Sequence, residues 1–168
     1  SVWLQRLGAD ADNFYSAISF SVSHHHAELA LRITGALWRA MEIKGFYRQA
    51  SDRLRMVLRM PEAETFPLLR AKALSGLSTL AYRECDLDTA DTASRQSLHL
   101  AKQTNDQLSI ATALTDMGNV ASMKGNYKEA LRLYSESLDL ERVRGHERGI
   151  AVALYNTGLV ARHLGKFD

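Results

Sequence analysis

The 168 residues include one cysteine, Cys85, and two prolines, Pro61 and Pro67. A lone thiol cannot close an intrachain disulfide, and a reducing cytoplasm is the expected compartment. Proline lacks an N–H and clashes with the preceding helical turn, so its confinement to one short segment leaves the rest of the chain free to be helical. Runs alternating apolar with polar residues, the mark of half-buried strands, are missing. No secretory leader and no apolar stretch long enough to cross a bilayer is read in the sequence. The net charge is only +2, with Lys and Arg dispersed, which excludes nucleic acid as the default partner. What is present is ordinary: 46% apolar and 24% charged residues suffice for one domain with a sizeable core and argue against disorder.

The organising feature is an internal repeat. A shift of forty superimposes Ile110, Ala113 and Leu114 on Ile150, Ala153 and Leu154, Gly118 on Gly158, Ala121 on Ala161 and Gly125 on Gly165. Carried backwards, the same shift takes Ala121 to Ala81, Gly125 to Cys85, Ala130 to Ala90 and Leu138 to Leu98, and one step more reaches Gly45, Ala50 and Leu58. The chain therefore divides into leading helices over 1–27, a divergent first unit over 28–68, units over 69–109 and 110–149, and a truncated fourth unit over 150–168.

Within the third unit, Ile110, Ala113, Leu114, Met117, Val120 and Ala121 recur at three- and four-residue spacing, one face of a helix. Lys124-Gly125-Asn126 breaks it, Asn126 with Glu129 has the spacing of a capping box, and Tyr127, Ala130, Leu131, Tyr134, Leu138 and Leu140 form the stripe of a second helix. Gly145 is placed to end that helix in a left-handed turn. Such a hairpin cannot bury both faces alone, so neighbours must stack. The fold expected is all-α: antiparallel helical hairpins piled into a right-handed superhelix. Gly118 and Gly158 on first helices, and Ala50, Ala90 and Ala130 on second helices, are expected at the contacts, where a large side chain would cost about 1–3 kcal/mol by overpacking.

Leu114, Gly118, Ala121, Tyr127, Ala130, Tyr134 and Leu138 resemble the tetratricopeptide-repeat signature in a forty-residue variant, over residues 28 to 168. Trp38 and Ser78 stand where that pattern has glycine and Met41 where it has alanine, so the first unit is expected to pack more loosely. The segments Trp3 to Leu7, Asp12 to Phe14, Ala27 to Leu31 and Lys44-Gly45-Phe46 are similar to the start of the helical-repeat region in STAND-type signalling ATPases and LuxR-family regulators. That resemblance implies a sensor region, cut from a larger transcriptional or signalling protein, which binds an inducer or packs against its own ATPase domain.

Chemistry-bearing clusters are sparse. His24-His25-His26 sits where a turn is expected, and adjacent helical residues point apart, so a solvated turn is favoured over a metal site. His99, His146 and His163 fall in different units without ligand-spaced partners. Cys85 has no neighbouring histidine to activate it and is expected as a small packing residue. Asp86, Asp88 and Asp91 lack the glycine and final glutamate of a calcium loop and suit a helix start. The run from Gly158 to Gly165-Lys166 has the wrong spacing for a phosphate loop. Arg48, Arg55 and Arg59 form a basic stripe that reads as a solvated outer face. No catalytic set, metal or cofactor is expected.

In the family's pattern, the concave surface is lined by first helices, here at Arg32, Arg39, Ser75, Thr79, Arg83, Thr115, Asp116, Asn119, Tyr155, Asn156 and Arg162. These polar residues of mixed sign suit a protein or peptide better than a greasy ligand, with Asn119 and Asn156 able to meet backbone amides. The alternative is an architectural module that self-associates, as a homodimer through the last helix, where Leu154, Leu159 and Leu164 would be partly uncovered.

Overall fold

The computed structural model describes residues 11–165; expectations resting on Trp3 to Leu7 and on Lys166 to Asp168 lie outside the described residues. Eight α-helices follow in order: α1 (Ala11–Ser23), α2 (Ala27–Ile43), α3 (Tyr47–Leu58), α4 (Pro67–Arg83), α5 (Leu87–Gln103), α6 (Gln107–Met123), α7 (Tyr127–Val143) and α8 (Glu147–His163). A short 3-10 helix, Pro61–Thr65, joins α3 to α4. Each proline stands at a helix start, where its missing N–H costs nothing. No strand occurs among the described residues.

A beat of twenty residues underlies the repeat of forty. The turns centre on His25, Gly45, Cys85, Asn105, Gly125 and Gly145, all with positive φ. In each, the next residue donates its N–H to a carbonyl five residues back, as Asn126 does to Ala121 (2.8 Å) and His146 to Glu141 (3.0 Å). This double-bonded helix end needs one left-handed residue, which glycine supplies without strain. Cys85 holds that conformation at φ 60° and is exposed, so the small buried role expected for it is corrected. The capping box is corrected as well. Asn126 makes no side-chain cap, and Glu129 instead binds Arg132 at 2.7 Å. The caps belong to Asp86, which accepts from Thr89 N–H (3.1 Å), and Asp106, which accepts from Ser109 N–H (2.9 Å). These bonds hold both carboxyls below the usual carboxylate range.

Consecutive helices pack as antiparallel neighbours, and α2, α4, α6 and α8 also meet in series. Ala50, Ala90 and Ala130 are buried at the contacts. The position held by glycine in the third hairpin is filled differently in each unit. A Cβ on Gly118 would come within 2.4 Å of the Tyr134 ring, so the ring occupies the space that the glycine leaves. In the second hairpin the counterparts are Ser78 and Ser94, both fully buried, with Ser78 Oγ donating to Ala90 O at 2.9 Å. In the first they are Trp38 and Leu54, and the Trp38 indole lies against Gly76 of α4, where a Cβ would meet it at 2.9 Å. Bulky side chains fill the first unit, with Leu31, Leu54 and Val57 at most 1% exposed, while its two helices approach each other less closely than those of the second and third hairpins, in keeping with the looser packing expected. Gly158 differs from expectation: nothing lies within 4 Å of a Cβ built on it, because no helix of the described residues covers that face of α8.

Candidate functional site

The first helices of successive hairpins line one groove of about 670 Å³. From α2 come Arg39 and Glu42, and from α4 come Thr79, Tyr82 and Arg83. Thr115, Asp116 and Asn119 of α6 lie in the middle, and α8 adds Val152, Tyr155, Asn156 and Leu159. Eight of the residues expected here from the sequence share this groove: Arg39, Thr79, Arg83, Thr115, Asp116, Asn119, Tyr155 and Asn156. Three do not. Arg32 turns back to Glu28 of its own helix at 2.8 Å, Ser75 is buried beneath Asp116, and Arg162 is exposed beyond the groove.

Much of the polar lining is already engaged. Tyr134 OH donates to Asn119 Oδ1 at 2.9 Å, and Asn156 Nδ2 donates to the same oxygen at 3.3 Å. The two asparagines thus spend part of their capacity on one another, leaving the Asn119 amide N–H groups and the Asn156 carbonyl for other partners. Burial pushes the Tyr134 hydroxyl up from its ordinary pKa. Arg83 Nε donates to Glu42 Oε1 at 3.0 Å, and Arg39 lies 4.0 Å from the other Glu42 oxygen.

Asp116 is 8% exposed. Ser75 Oγ donates to its Oδ2 at 2.6 Å and Thr79 Oγ1 lies 3.4 Å from its Oδ1. Burial raises its pKa to about 7, against the pull of the two hydroxyls and of Arg39, while the Glu42 charge adds to the rise.

Sequence reasoning missed two parts of this groove. The first is apolar: Leu108 and Val152, each 42% exposed, flank Tyr155 at 67%. Tyr155 was expected in the lining, whereas Leu108 and Val152 add an apolar part to a set expected to be polar and of mixed sign. The second is Glu141, on a second helix yet at the groove edge. It is 5% exposed and accepts from Arg144 Nη1 (2.7 Å) and His146 Nδ1 (2.9 Å). Gly149 makes room for it, since a Cβ there would sit 2.3 Å from the carboxyl carbon. No periodic signal marks this cluster, because it joins a helix end to the turn that follows.

The other chemistry-bearing residues stay apart from the groove. His24 stacks on Phe20 at 3.9 Å and His25 Nδ1 reaches Glu62 Oε1 at 2.8 Å, both exposed in the turn after α1. Arg55 pairs with Asp86 at 3.5 Å, whereas Arg48 and Arg59 are exposed. Asp88 and Asp91 lie near Lys124 at 3.8 and 3.6 Å. Among the described residues no group of three histidine, cysteine or acidic side chains is arranged to hold a metal ion, and no helix is long and apolar enough to cross a membrane.

Comparison with known proteins agrees with this architecture. The sequence profile described as "Tetratricopeptide repeat" matches residues 69–141 and 109–168. The crystal structure of MamA protein is similar in fold, with a TM-score of 0.55 over 95% of this chain and 89% of that one, at 15% identity. No curated protein matches the chain.

Proposed function

Because the chain belongs to the tetratricopeptide repeat family, we propose that it is a non-catalytic interaction scaffold whose concave groove holds a segment of another protein. The observation that carries this reading is the exposed trio Leu108, Val152 and Tyr155 on the groove wall, beside the polar floor of α6. Exposed apolar side chains ringed by polar ones gain from being covered, and a groove that runs across four successive first helices suits an extended or helical peptide. Binding of random twelve-residue peptides displayed on phage tests it. Peptides selected on the wild-type chain should lose about tenfold or more in affinity for Val152→Asp and Tyr155→Ala, with helicity by circular dichroism unchanged. Affinities that survive both changes would place binding elsewhere.

In the regulator setting that the leading segments resemble, the occupant is an inducer or a segment of the protein's own ATPase domain, and the compartment is the cytoplasm. A nucleotide-binding motif in the reading frame ahead of Ser1 supports that setting; a frame without one removes it.

A second reading is favoured by a different observation. Leu154 is 49% exposed and Gly158 faces open space, whereas their counterparts Leu114 and Gly118 are buried beneath α7. Self-association through this face of α8 covers the same kind of surface.

A further inference from the structure

Three carboxylates line the groove, and two of them have an opposite charge at hand. Glu42 has Arg83 at 3.0 Å, and Glu141 has Arg144 at 2.7 Å and His146 at 2.9 Å. Asp116 is hydrogen-bonded only by hydroxyls, with Arg39 acting on it from beyond contact distance, and it takes part in none of the ion pairs found among the described residues. A buried carboxylate whose direct contacts are neutral donors is poorly compensated, and a cation placed against it gains far more than one at an exposed carboxylate.

We propose that Asp116 is the anchor subsite of the groove and takes a cationic side chain, lysine or arginine, from the bound segment. This rests on the groove reading above and adds the chemistry of its partner. The competing choice, an acidic segment drawn to the arginines, is the weaker one. Arg39 is exposed and already near Glu42, Arg83 is bound to Glu42, and Arg148 lies exposed at the rim, where ion pairs contribute little. The Glu42 carboxylate also stands between Arg39 and Arg83, which lessens their repulsion of an incoming cation.

The charged and titratable groups facing Asp116 across the groove are Arg39 and Glu42 of α2 and Tyr82 and Arg83 of α4. Tyr134 and Glu141 of α7 lie on the next side, with His146 and Arg148 at the start of α8. With the groove empty, burial keeps the Asp116 carboxyl near pH 7, partly protonated at neutrality. A bound cation favours the ionised form, so binding releases a proton and weakens as the pH falls. If only the ionised form binds, affinity for a basic peptide should be about tenfold tighter at pH 8 than at pH 6.

The test selects random twelve-residue phage peptides against the wild-type chain and against Asp116→Asn, then measures the affinities of the winners between pH 6 and 8. The proposal expects lysine or arginine at one fixed position in the wild-type winners, loss of that preference for Asp116→Asn, and a pH dependence that vanishes in the variant. His146 is present in both proteins, so the comparison isolates Asp116. Winners that lose affinity with Val152→Asp but carry no basic residue, or carry an acidic one, overturn the anchor and leave the groove reading standing. Winners indifferent to Val152→Asp, or no winners at all, overturn both. The residue preference is read on the wild-type chain, so the outcome does not depend on the variant's folding.

Discussion

Asp116 shows how one residue sets a cost that its neighbours only partly offset. Its carboxyl titrates near 7 in the folded chain against 3.8 for an unburied aspartate, so between those values the folded state binds more protons than the unfolded one. The sign follows: the favourable contribution is complete below pH 3.8 and is lost as the pH climbs to 7, on the order of 4 kcal/mol at most. Asparagine in its place would keep an acceptor for the Ser75 hydroxyl without the charge. The variant Asp116→Asn should therefore melt higher than the wild-type chain at pH 8, with the gap closing toward pH 4. Thermal melts followed by circular dichroism would contradict this if the wild-type chain were the more stable at pH 8. Two buried serines make the opposite point, that a polar group can be buried at little cost. Ser97 Oγ donates to Ala71 O at 2.8 Å and Ser137 Oγ to Ala111 O at 2.9 Å, one bond repeated forty residues on. The repeat contained this pair, but an apolar-stripe reading passes over serine.

At the scale of the helices, the same sequence position has different partners in successive units, and glycine shows it best. Alanine in place of an ordinary mid-helix glycine adds about 1 kcal/mol of stability. Gly158, with open space around it, should follow that rule, so Gly158→Ala is expected to stabilise by about 0.5–1 kcal/mol. Gly118, with the Tyr134 ring against it, should break the rule, and Gly118→Ala is expected to destabilise by about 1–3 kcal/mol. Urea unfolding of the two variants reads the difference directly; equal and stabilising shifts would mean that the ring yields without cost. The pairings Trp38 with Leu54, Ser78 with Ser94 and Gly118 with Tyr134 show how the interior stays filled where the repeat's glycine is replaced, even though the helices of the first hairpin stand further apart. A substitution on one helix is matched on its neighbour, and a one-helix alignment cannot show the match.

For the whole molecule, the two uncovered surfaces make separable predictions. If copies associate through α8, Leu154→Lys should shift sedimentation toward the monomer across a concentration series, while Leu108→Lys, within the groove, should leave association unchanged. A wild-type chain that stays monomeric at every concentration removes the self-association reading.

The forty-residue periodicity, the helix-breaking triplets and the isolated prolines were enough to determine the all-helical repeat, since each depends only on residues close together in the chain. Eight groove residues were legible for the same reason: a known helix period on a known repeat fixes which side a residue takes. Ser75, Arg32 and Arg162 were misplaced because burial and ion pairing are set by neighbours, not by phase. Only the packed structure decided that Asp116 lies nearly buried at the groove floor on two hydroxyls and in no ion pair, that Glu141 reaches the groove past Gly149, and that Gly158 has no neighbour among the described residues. Those facts are distances between residues on different helices, and no local pattern encodes them.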